Sequence, residues 1–65
     1  MKTYYISING YGGMVLGVYK IQATSESVAR KLALEYYTKD LDVYVEDENT
    51  AKEIANENGI DIVEF

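Results

Sequence analysis

Apolar and polar residues alternate along residues 3–9 and again along residues 14–23, a pattern that predicts two β-strands. One face of the second strand is expected to carry Val15, Gly17, Tyr19, Ile21 and Ala23. The opposite face would then carry Met14, Leu16, Val18, Lys20 and Gln22. Between the strands, residues 9–13 include three glycines, which tolerate the backbone angles of tight turns. The first third of the chain is therefore predicted to form a β-hairpin.

The pattern becomes helical after residue 23. Thr24 and Ser25 precede Glu26, which is typical of a helix start with a hydroxyl cap and an acid in the first turn. With about 3.6 residues per turn, one half of this helix carries Val28, Ala29, Leu32, Ala33, Tyr36 and Tyr37. Leu34 falls on the polar side, and the helix is expected to end near Thr38 or Lys39.

Residues 41–46 alternate again and predict a third strand. A second helix is expected from residue 47 or 49, capped by Asp47 or Asn49, with Ala51, Ile54 and Ala55 as a narrow apolar stripe. Gly59 would end this helix, and residues 60–65 would form the last strand.

This order, ββαβαβ, predicts one domain over residues 1–65 of the α+β class. We expect a two-layer sandwich in which a mixed four-stranded sheet carries both helices on one face. Helical crossovers would make the second, third and fourth strands parallel and the first antiparallel.

In such a sandwich the outer face of the sheet should be polar, yet the first two strands place Tyr5, Met14, Leu16 and Val18 there. A contiguous apolar patch of this kind favours an interface, either with a second copy as a homodimer or with another protein. The alternative is that the strands curl over the patch, or that the C-terminal strand or Phe65 covers it.

Composition removes several kinds of chemistry. The chain has no Cys and no His, which excludes disulfides, thiolate zinc sites and histidine general bases. The glycine-rich loop joins two strands and does not lead into a helix, so we expect a turn there and not a phosphate site, with Tyr11 as a contact residue at its tip. The acids of residues 46–48 lack the spacing of a calcium loop. No enzyme activity, cofactor or metal is therefore expected.

Charge is segregated along the chain. Residues 1–39 hold five basic and two acidic side chains, a balance of +3, whereas residues 40–65 hold nine acids and Lys52 alone, a balance of −8. The second helix and its flanks carry the candidate acidic contacts, namely Glu46, Asp47, Glu48, Glu53 and Glu57. These acids favour a protein partner with a basic surface and disfavour bare nucleic acid, even though the seven tyrosines could stack on bases. The competing interpretation is a solvated acidic face with no binding role.

The strand-to-helix segment reads Tyr19-Lys20-Ile21-Gln22-Ala23-Thr24-Ser25-Glu26-Ser27-Val28-Ala29. This segment, a strand ending in Ala, a hydroxyl cap and small residues opening a helix, resembles small acidic proteins of phages and mobile elements. Inhibitors of bacterial defence systems, including anti-CRISPR proteins, belong to that group. The resemblance implies a non-enzymatic protein binder, and it supplies no site residues.

The leading hypothesis is a phage-encoded inhibitor that occupies a basic surface of a host protein in the cytoplasm. The alternative is a homo-oligomeric structural or accessory module, and a third hypothesis is a small-ligand sensor with a cleft between subunits. The chain has no long apolar run, so a membrane partner is not expected.

Overall fold

The structure is a computed structural model, and it describes residues 1–35, 37 and 41–64. Its regular elements follow the predicted order of two strands, a helix, a strand, a helix and a strand. Their bounds are β1 Lys2–Asn9, β2 Val15–Ala23, α1 Glu26–Leu34, β3 Asp42–Glu46, α2 Glu48–Glu57 and β4 Ile62–Glu64. No helix in the described ranges is long and apolar enough to cross a membrane.

The four strands form one sheet in the order β3-β1-β2-β4. β1 pairs antiparallel with both β2 and β3, while β4 pairs parallel with β2. The predicted α+β class, the mixed four-stranded sheet and the antiparallel first strand are therefore confirmed.

The hairpin between β1 and β2 closes through a 3₁₀ turn, in which Gly12 and Gly13 have φ angles of 73° and 76°. The register shifts at this end, because Ile8 pairs with Gly17 whereas Asn9 pairs with Val15. Leu16 is thus the extra residue of a β-bulge. The bulge moves Val15 to the same sheet face as Val18, so its predicted position beside Gly17 and Tyr19 is wrong.

Helix α1 begins as predicted, since the Ser25 side chain accepts a hydrogen bond from the Val28 amide at 3.3 Å. The helix ends at Leu34, earlier than expected; Thr38 and Lys39 lie outside the described residues. Leu34, predicted on the polar side of the helix, packs against the core, whereas Val28, predicted on the apolar side, is exposed. The predicted sides of these two residues are therefore wrong.

The core on this side of the sheet lies beneath α1. Ala29 and Ala33 are fully buried against the isoleucines of the hairpin, which are Ile6, Ile8 and Ile21. Since alanine is small, the helix backbone lies close to the sheet, and the β3 valines fill the side of this core.

Helix α2 begins at Glu48 and is capped by Asp47, whose side chain accepts a hydrogen bond from the Thr50 amide at 2.7 Å. It closes on Gly59, with a φ angle of 64°, and the Ile60 amide donates to the Ala55 carbonyl at 3.0 Å. Both predicted ends of this helix are confirmed. Its buried residues, Ala51 and Ala55, lie over Val18.

The two helices cover opposite faces of the sheet, so the prediction of two layers with both helices on one face is wrong. α1 packs against the face that carries Ile6 and Ile8, and α2 packs against the face that carries Val18. The reason is the strand order. The crossover from β2 to β3 runs one way across the sheet and the crossover from β3 to β4 runs back. Because both are expected to be right-handed, their helices must lie on opposite sides.

Candidate protein-binding surface

The apolar patch predicted on the outer sheet face is largely covered by α2. The Val18 side chain is 0% exposed, beneath Ala51 and Ala55, and the half-buried Tyr5 packs against the same cluster. The expectation that this face is open is therefore wrong. The self-interface predicted from it would have to form without Val18.

The other apolar residues of that prediction remain at the surface, at the hairpin end. Tyr11 is 92% exposed, Met14 64% and Leu16 41%. The turn that carries them is held by the Gly10 amide, which donates to the Met14 carbonyl at 2.8 Å. The Leu16 side chain lies against Gly10, because a Cβ atom added to Gly10 would be 3.2 Å from Cδ1 of Leu16. The exposed aromatic ring of Tyr11 is thus carried on a turn with a defined backbone.

An open depression of about 330 Å³ lies beside this turn. It is lined by residues of the glycine turn, the end of β1 and the start of β3, namely Asn9, Gly10, Tyr11, Gly12, Gly13, Leu41 and Asp42. Asp42 is the register partner of Asn9, so β3 starts at the edge of this depression. Its lining residues include Asp42 and the exposed Tyr11, which suit a cationic or hydrogen-bond-donating group.

A strip of polar side chains continues from the depression along β3. Asp42, Tyr44 and Glu46 alternate on the sheet face that α2 shares, whereas Val43 and Val45 point to the core under α1. α2 packs mainly over β1, β2 and β4, and Asp42 and Tyr44 on the β3 side of this face are exposed. Tyr44 is 48% exposed. We call Tyr11, Asp42, Tyr44 and Glu46 the β3 surface.

Two of the predicted acidic contacts have roles within the fold. Asp47 caps α2, and the hydrogen bond that it accepts from the Thr50 backbone amide lowers the pKa of its carboxyl group. Glu48 forms an ion pair with Lys52, with 2.9 Å between Oε1 and Nζ. The hydrogen bond from Lys52 lowers the pKa of Glu48, and the same contact raises the pKa of Lys52. These features are what a solvated, self-stabilised helix start would show.

The remaining acids of α2, Glu53 and Glu57, are exposed. Across the part of the chain that the structure describes, three ion pairs join Lys20 to Glu64, Arg30 to Glu26 and Lys52 to Glu48. Of the eleven acids, Asp40 lies outside the described residues, so ten minus three leaves seven without an ion pair there. Six of these seven belong to residues 42–61, which makes that part of the surface strongly negative.

Within the described residues, no group of three or more His, Cys, Asp or Glu side chains that could hold a metal ion comes together. Burial and a hydrogen bond with Tyr37 raise the pKa of Tyr19 to about 12, so its hydroxyl holds its proton at neutral pH. The arrangement offers exposed tyrosine rings, together with carboxylates that form no ion pair within the described residues.

Strand alternation placed the predicted contacts Tyr5, Leu16 and Val18 on one face, whereas the bulge and α2 separate them in the structure. Asp42 and Tyr44 were not among the predicted contact residues. The signal for them was present, because the run Asp-Val-Tyr-Val-Glu places its three polar residues on one face of a strand. No protein-family model matches this chain, and neither a curated protein nor a solved structure shows significant similarity to it.

Proposed function

We propose that this chain is a non-enzymatic protein-binding module that uses the β3 surface to contact a basic surface of its partner. The observation that carries the proposal is the pairing of the exposed Tyr11 and Tyr44 with Asp42 and Glu46, carboxylates that meet no cation in the described structure.

Tyrosine suits this role because its large ring is ordered at a low entropic cost and its hydroxyl can still form a hydrogen bond. Carboxylates next to such rings become more effective once a partner excludes water from them. The acids Glu53 and Glu57 lie further along α2 and add to the negative electrostatic potential around the β3 surface. They would raise the rate of encounter with a basic partner more than the strength of the final contact.

A more specific proposal follows from the resemblance to phage-encoded inhibitors. In that case the basic surface would be one that a host protein uses to bind nucleic acid, and the chain would inhibit the protein by occupying it in the host cytoplasm. The net charge of −5 and the clustering of acids in residues 42–61 support this proposal.

The test is affinity capture with the immobilised chain from a lysate of the host cell, followed by mass spectrometry and direct binding to the captured protein. We expect Tyr44→Ala to weaken binding about tenfold, as removal of a central interface tyrosine typically does. Glu46→Gln should weaken it about threefold, and increasingly so at low salt.

Glu53→Gln is the matched control, because it removes the same charge from an exposed position on the outer side of α2. It should leave the dissociation rate unchanged and slow association slightly. Equal losses for Glu46→Gln and Glu53→Gln would contradict the β3 surface as the contact site. Binding that is insensitive to both substitutions and to salt would contradict an electrostatic contribution of these acids to partner binding.

A further inference from the structure

β3 is the outermost strand on one side of the sheet, and its free edge is the longer of the two. Among the described residues it pairs only with β1, through the five positions from Asp42 to Glu46. The opposite edge, β4, has three residues, and Glu64 within it lies 3.9 Å from Lys20. An unpaired edge is a template for another strand, and folded proteins usually shorten or protect it.

The side chains of β3 project from the two faces of the sheet and determine which strand could pair with its free edge. Val43 and Val45 are committed to the core under α1, while Asp42, Tyr44 and Glu46 project on the other face. Arg30 reaches β3 from α1, and its Nη1 atom donates to the Val43 carbonyl at 3.0 Å. A carbonyl oxygen has two lone pairs, so this contact does not prevent a second hydrogen bond from an incoming strand.

A second copy of the chain is a poor occupant for this edge. Antiparallel self-pairing that overlaps all five residues places Asp42 of each copy opposite Glu46 of the other, with Tyr44 at the centre. Two acid pairs would then face each other in a five-residue ladder, and like charges directly opposite destabilise strand pairing. The charge pattern that disfavours this self-pairing favours a strand with basic side chains at alternate positions.

We propose that β3 binds an extended basic segment of the partner as an added strand, with Lys or Arg side chains opposite Asp42 and Glu46. Main-chain hydrogen bonds to the free edge supply affinity, and the two carboxylates select the charge and spacing of the segment. Tyr44 lies between them and packs against the aliphatic stems of the basic side chains. This inference rests on the proposed function and specifies how the β3 surface makes its contact.

The test uses the full chain, labelled with ¹⁵N, and an end-capped peptide of sequence Lys-Val-Thr-Val-Lys. In antiparallel pairing this peptide places its lysines opposite Glu46 and Asp42. A second peptide of the same sequence is N-methylated at the amides of all five residues, which keeps its charge but removes the main-chain donors of those residues. We expect the first peptide to shift the amide resonances of β3, and the methylated peptide to bind about tenfold or more weakly because of the lost hydrogen bonds.

Side-chain selection is tested in the same titration. Glu46→Gln should weaken binding of the first peptide about threefold, whereas Glu53→Gln should leave its dissociation constant unchanged. Equal affinity for the two peptides would overturn strand addition and leave the proposed function intact, since charge alone would then account for binding. No binding of either peptide at millimolar concentration would also overturn it, and would assign Asp42 and Glu46 to the prevention of self-pairing. The proposed function is judged separately, by the capture experiment with Tyr44→Ala.

Discussion

The position of the Tyr19 side chain explains why residue 17 is a glycine. Its ring lies back over the backbone of Gly17, where an added Cβ would be 2.8 Å from the ring. Its hydroxyl group hydrogen-bonds with that of Tyr37, and the two rings meet edge to face with their centroids 6.4 Å apart. Gly17 is therefore needed for close approach and not for an unusual backbone angle. The pair closes the core near the end of α1 with both polar atoms satisfied.

The raised pKa of Tyr19 makes the stability of the fold depend on pH in the alkaline range. Burial, and then the Tyr37 hydroxyl, raise this pKa from 10.0 to about 12. The folded state holds the proton more tightly than the unfolded state, so the stabilisation is complete below pH 10.0 and is lost as the pH rises through about 12. We expect the free energy of unfolding to fall more steeply over this interval in the wild type than in Tyr19→Phe. Chemical denaturation at several pH values measures both slopes.

Tyrosinate absorbance provides the independent check. The wild type should show a late-ionising tyrosine component that Tyr19→Phe lacks. Identical alkaline titration curves for the two proteins would contradict the assignment.

At the scale of elements, both helices contact the sheet through alanines. α1 buries Ala29 and Ala33, and α2 buries Ala51 and Ala55. Small residues on the helices are matched by large or β-branched residues on the strands, so the bulk of each core comes from the sheet. The narrow apolar stripe of α2 is therefore sufficient to cover Val18. The N-cap residue Asp47 fixes the start of this covering helix.

The covering role of α2 predicts opposite results for two neighbouring substitutions. Val18→Glu places a charge in a fully buried site and should cost several kcal/mol, enough to unfold a domain of this size. Leu16→Glu, at the partly exposed bulge, should cost about 1 kcal/mol or less and leave the fold intact. Circular dichroism and urea denaturation of the two variants measure the difference. A folded Val18→Glu protein would show that α2 does not cover this face.

At the scale of the whole molecule, 65 residues form a sheet with one helix on each side. Small domains bury a limited fraction of their surface, and a sheet with one bare apolar face would bury less still. The second helix converts that face into a second core cluster. The acids that remain outside are concentrated in residues 42–61, so the molecule carries a negative side.

We expect the protein to be a monomer of 7.3 kDa at both low and high salt. The reason is that α2 covers the centre of the apolar face and the net charge of −5 opposes association. Light scattering after size exclusion measures the mass, with Leu16→Glu as a control that alters the exposed hairpin end. A salt-resistant dimer in the wild type that Leu16→Glu abolishes would place a self-interface at the hairpin end and contradict this expectation.

Much of the local structure follows from the sequence because it depends on neighbouring residues. Alternation identified the strands, the glycines of residues 9–13 and Gly59 identified the turns, and Ser25 and Asp47 identified the helix starts. The bulge at Leu16 did not follow, since it depends on how the register closes at the turn. It was this one-residue shift that moved Val15 to the other face.

By itself, the sequence determined the elements, their order, the α+β class and the segregation of charge, all of which are set by local pattern and composition. Only the tertiary structure decided which strands are neighbours, and the strand order determines which face of the sheet each helix covers. With β3 and β4 on opposite sides of the hairpin, the two crossovers run in opposite directions, and a common right-handedness places α1 and α2 on opposite faces. As a result, Val18, which was predicted to lie in an interface, is part of the core, while Tyr44 on the other part of that face stays exposed.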